Sequence, residues 1–176
     1  MLKRDITCSS FDEFVANLAR FASWTTGVGI WKEDYRRIPS DQVFDRISPH
    51  SAILFSERKK SEYLILNQVF SAEIESDHSK KGNYDLFKAF GVEEPFITQK
   101  LYIDGDITAA TFKTVKKDYR NMVAGLYWDF CIRKKPCSYD LGGFNDAMGI
   151  YFDKYDILMR AFCIGLVRQM KKIIRR

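Results

Sequence analysis

Two strand-like runs, "FITQKLYI" and "ITAATFKTV", flank Asp104 and Gly105. Asp-Gly between such runs is the strongest short-range hairpin signal, because the tight turn needs residues that tolerate positive φ. The pair argues against an all-α domain and sets the fold class expected of this chain. Upstream, "SAILFSE" and "EYLILNQVFSAEI" read as two strands separated by the charged turn "ERKKS". Downstream, Tyr119, Met122, Val123, Leu126, Tyr127 and Phe130 fall on one helical face that ends before Pro136. The segment "CSYDLGG" then reads as a further strand, and a strand-helix-strand crossover favours a parallel neighbour. The expected fold is therefore α/β, a central mixed sheet of about five to seven strands flanked by helices.

Other segments fit around that sheet. Ser10, with Glu13 three residues on, caps an expected first helix carrying Phe14, Val15, Leu18 and Phe21. Gly27, Gly29 and Pro39 predict a loop, followed by a short helix from Asp41. The polar segment "SDHSKKGNYDLFKAFGVEEP" reads as a long loop, a kind of segment that often carries function. Its Leu86, Phe87 and Phe90 can form one helical turn over the core.

At 176 residues with 46% hydrophobic content, the chain can bury a core and is expected to form one domain over 1–176. Charged and polar residues interrupt the opening segment before a signal-peptide core could form. The run "ILMRAFCIGLV" contains Arg160 and falls far short of the about 20 residues that span a bilayer. A cytoplasmic location is expected, with no transmembrane segment. Cys8, Cys131, Cys137 and Cys163 show no paired spacing, and His50 and His78 no metal-ligand spacing, so four reduced thiols and no metal are expected.

The net charge of +5 has one address. The last nine residues, "RQMKKIIRR", hold five of the 28 basic residues and no acid, and the remaining basic residues balance the 23 acids. Leu158, Ala161, Phe162, Gly165, Leu166, Met170 and Ile173 follow helical spacing, which predicts a C-terminal helix packed on the sheet through its first half. Its cations read as a solvated helix end; contact with an anionic membrane surface or RNA is the other reading.

From Lys100 to Tyr155 the order of residues resembles the acetyltransferase-like domains of the GNAT superfamily, in its FemAB-type branch. Tyr139, Asp140, Leu141, Gly142, Gly143, Gly149, Ile150, Phe152 and Lys154 carry the likeness. It implies an N-acyltransferase that moves an acyl group from an acyl-CoA-type thioester to an amine-bearing acceptor. Aminoacyl-tRNA as donor, and a catalytically silent GNAT-like interaction module, are the alternatives. In such a mechanism, positioning of amine and carbonyl and strand amides at the oxyanion do the work, with no covalent nucleophile.

Each candidate residue has two readings. Arg120 and Asn121, at an expected helix start, could hold a donor phosphate or be solvated near a cap. Gly142 and Gly143 allow close approach of a ligand or of another backbone. Asp140 could act as general base or satisfy a structural donor. Tyr139 could act as a general acid or pack at the rim. His78, in its polar loop, is the histidine to test as a base.

Overall fold

The computed structural model describes residues 4–23, 29–39, 48–67 and 83–174. In chain order the elements are β1 (Ile6–Cys8), α1 (Phe11–Leu18), α2 (Lys32–Tyr35), α3 (Pro49–Leu54), β2 (Tyr63–Ile65), α4 (Leu86–Lys88), α5 (Glu94–Ile103), α6 (Ala109–Leu126), α7 (Phe144–Ala147) and α8 (Lys154–Ile174). A 3₁₀ turn covers Ala19–Ser23, and π-helical turns cover Ala89–Glu93 and Tyr127–Ile132. The described residues are mostly helical, which overturns the α/β expectation. Among them β1 and β2 form a two-stranded antiparallel pair with Thr7 opposite Leu64. The helix expected from Asp41 lies outside the described residues.

The correction turns on Asp104-Gly105. Asp104 stays in the helical region and Gly105 takes φ +80°, which ends α5. The amide of Gly105 donates to the Tyr102 carbonyl at 3.1 Å, and that of Asp106 donates to the Leu101 carbonyl at 2.9 Å. This is a Schellman C-cap, which asks for the same left-handed glycine as a hairpin turn. Three residues later Thr108 opens α6, its Oγ1 accepting from the Thr111 amide at 3.2 Å. The runs on either side are thus helices. α5 hides its period because its buried stripe is Glu94, Pro95, Thr98 and Leu101, while Phe96 and Ile103 face solvent.

The chain divides into two compact units, Met1–Ile74 with Glu93–Lys116, and Glu75–Val92 with Lys117–Arg176. In the first, Ser10 caps α1 by accepting from the Glu13 amide at 3.2 Å, and Glu13 reaches back to the Ser9 amide at 2.9 Å. Phe11 and Phe14 of α1 pack on Tyr63, the Phe14 and Tyr63 rings stacking at 4.8 Å. "SAILFSE" is helical through Leu54 because Pro49 opens α3, where its missing N–H leaves no bond unmade. Ser51 is fully buried, its Oγ 3.1 Å from the Glu94 carboxylate. The carboxylate of Asp34 is nearly buried and held by Lys60 at 2.6 Å and Arg37 at 2.8 Å.

In the second unit Phe87, Tyr127 and Phe144 form an aromatic cluster, with ring centroids 4.4 Å apart for Tyr127 and Phe144 and 5.0 Å for Phe87 and Phe144. Tyr119, Val123 and Trp128 bury the inner face of α6 and its π-helical continuation. α8 packs on that continuation, and its buried register is Ile157, Ala161 and Gly165, at i, i+4 and i+8. A Cβ at Gly165 would overlap the Trp128 ring, so the missing side chain sets how closely the two segments approach.

The helical fold predicts a far-ultraviolet circular dichroism spectrum with the helical double minimum. Gly105→Ala should cost about 1 kcal/mol in denaturant unfolding, from the left-handed cap alone. A spectrum dominated by strand would contradict the cap assignment.

Candidate functional site

The residues singled out in "CSYDLGGFND" sit together in the second unit, on a turn rather than in a strand. The Asp140 amide donates to the Tyr84 carbonyl and the Leu86 amide to the Asp140 carbonyl, each at 3.0 Å, a single parallel bridge between two irregular segments. The Asp140 side chain is exposed and folds onto its own turn, Oδ1 accepting from the Gly142 amide at 2.8 Å. Tyr139 packs its ring against Tyr84 at 5.3 Å and Phe130 at 5.7 Å.

Asp85 explains the second glycine. Its Oδ1 caps α4, accepting from the amides of Phe87 at 3.0 Å and Lys88 at 2.9 Å. A Cβ on Gly143 would overlap that carboxylate. The glycine leaves room for the capping acid, and Gly143 itself leads into α7. The groups that approach Gly142 and Gly143 here are the protein's own carboxylates, those of Asp140 and Asp85.

Arg120 and Asn121 do not lie at a helix start. α6 begins at Ala109, so they sit about three turns in, beyond reach of the unpaired amides that favour an anion. Both side chains engage α8 instead. Arg120 pairs with Asp156 at 3.6 Å, Arg160 holds the same carboxylate at 2.8 Å, and an Arg160 Nη lies 3.5 Å from the Asn121 side-chain oxygen. The Nε of Arg120 is buried without a hydrogen-bond partner. His78 lies outside the described residues.

The remaining chemistry-bearing groups are accounted for. All four cysteines are free. Burial pushes the Cys131 thiol up, and nearby Cys137 adds to the shift; burial and then Glu13 do the same for Cys8, so both favour the unreactive thiol form. Burial also raises the phenol of Tyr151. No group of three or more metal-ligating side chains occurs among the described residues. A surface depression of about 310 Å³ in the first unit is lined by Arg37, Ile38, Pro39, Ser56, Glu57 and Arg58. Its cations are committed: Arg58 pairs with Asp104 and Asp106, and Arg37 with Asp34.

Among the described residues, exposed apolar side chains run along one face of a helix. Along α8, Tyr155 is 74% exposed, Met159 66%, Phe162 56%, Met170 54% and Ile174 83%, with Leu166 and Val167 also exposed. Tyr155, Met159, Phe162, Leu166 and Met170 follow one another at three- and four-residue spacing, so they form one stripe opposite Ile157, Ala161 and Gly165. The sequence pattern that groups Phe162, Leu166 and Met170 with Ala161 and Gly165 is corrected: Ala161 and Gly165 are buried, but in the register of Ile157, and Phe162 in the packed first half faces out. The side chain of Ile173 lies outside the described residues. Asp129 fixes α8 from below, 3.1 Å from both Arg168 and Lys135.

No helix among the described residues is long and apolar enough to cross a membrane. No protein family, curated protein or solved structure matches the chain. The GNAT likeness thus rests on the quoted residues alone.

Asp85→Ala should cost about 1 kcal/mol through the lost cap, and Gly143→Ala a similar amount by displacing the same carboxylate. The two losses share one cause, so the double variant should be clearly less destabilised than their sum. Additive losses in urea unfolding would show that Gly143 serves something other than Asp85.

Proposed function

We propose that this chain is an interaction module that docks through the outward face of α8. The observation behind this reading is the exposed stripe from Tyr155 to Met170. Contiguous apolar surface of this kind marks interaction sites, whereas scattered exposed side chains do not. Covering five half- to mostly exposed side chains of these types is worth roughly 5 kcal/mol before the costs of association. Transfer from acyl-CoA to an amine depended on a sheet whose strand amides would face the oxyanion. The described residues carry no such sheet, and Arg120 and Asp140 have local partners, so the interaction reading has the better support.

The double variant Phe162→Asp, Leu166→Asp separates a docking face from a core face. As surface substitutions, these should leave the thermal midpoint within about 3 °C of wild type while abolishing binding of a solvatochromic apolar dye. A fall of about 10 °C or more would place the two side chains in the core and refute the reading, as would unchanged dye binding. In parallel, titration with acetyl-CoA and longer acyl-CoAs should give no heat, and neither should charged tRNA. Saturable binding of either donor would favour transfer over docking.

A further inference from the structure

We infer that the partner of this face is an anionic lipid bilayer, on which α8 lies parallel to the surface. The inference rests on the docking role proposed for the stripe and assigns its occupant. Charge decides among occupants. Every described residue from Leu166 to Lys171 is exposed; Arg168 turns to Asp129, and Lys171 stands one turn beyond the exposed Val167, at the flank of the apolar face. Beyond these two, the last nine residues hold three more cations, Lys172, Arg175 and Arg176, and no acid. A helix with an apolar face set in the headgroup boundary and cations against anionic headgroups binds a bilayer through both features at once.

A second copy of the chain does not supply the opposite charge. Its α8 offers Asp156, already held by Arg160 and Arg120, and it is preceded by Asp153, whose carboxylate accepts from the Asp156 amide at 2.8 Å. Aligned side by side in parallel, two such helices would also set their basic ends against each other. RNA supplies phosphates but no apolar phase for Met159, Leu166 and Met170. A bilayer containing acidic lipid supplies both.

The test is co-sedimentation of the full chain with vesicles of phosphatidylcholine, alone or with about 30% phosphatidylserine. Binding is expected to the acidic vesicles and to be at least about tenfold weaker to the neutral ones. It should fall by about tenfold again when salt is raised far enough to shorten the screening length to about 3 Å. Leu166→Glu and the pair Lys171→Glu, Lys172→Glu should each weaken it by about tenfold or more, with the thermal midpoint as control for folding.

Binding that ignores Leu166→Glu would overturn the inference, since the stripe would then play no part. So would a concentration-dependent dimer, or binding to single-stranded RNA or polyglutamate, in place of vesicle binding. Failure on vesicles with apolar-dye binding intact removes the bilayer as occupant and leaves the docking face standing. Loss of dye binding in the wild-type chain removes both.

Discussion

The ring of Trp128 lies against the backbone of α8 at Gly165, and the second unit takes its organisation from that contact. Without a side chain at Gly165 the helix can approach the Trp128 ring closely, and Ile157 and Ala161 are buried on the same face of α8. Once those three positions face inward, helical geometry leaves the arc through Met159, Phe162 and Leu166 pointing out. Helix propensity would favour alanine over glycine here by about 1 kcal/mol, so close packing outweighs local preference at this position. Asp129 adds a polar tie through Arg168.

Much of the helical content was legible, but its most decisive punctuation mark was not. Asp104-Gly105 announces a left-handed backbone residue, and both hairpin turns and Schellman caps need one. Deciding between them requires the period of the flanking runs. In α5 that period is carried by Glu94 and Thr98, polar residues that an apolar count passes over. In α6, Thr111, Val115 and Tyr119 are buried at helical intervals, but the β-branched run before Lys116 imitates a strand. The capped start of α1, and the turn holding buried Leu86 and Phe87, were readable because cap and apolar spacing agreed there.

The candidate site shows a different kind of partial legibility. Gly142 and Gly143 do mark a place where groups come unusually close, as two adjacent glycines suggest. The group that approaches is the Asp85 carboxylate, more than fifty residues earlier in the sequence, and no local pattern could name it. Arg120 and Asn121 read as candidates for an anion only if the helix begins near Tyr119, and α6 begins ten residues earlier, at Ala109. α8 itself was foreseen, but it is apolar on two faces, and only the Trp128 contact decides which is buried.

Two of the outward side chains of α8, Met159 and Met170, are thioethers in full view of solvent. Their flexibility lets the stripe adapt to a soft or irregular surface, which suits attachment better than a rigid aromatic ridge would. It would also make the proposed attachment chemically perishable. Conversion to the sulfoxide places a strong dipole in the middle of the apolar face while touching none of the side chains that hold α8 to Trp128. An oxidised chain would keep its fold and lose its grip, and a reductase acting on the sulfoxides would restore it.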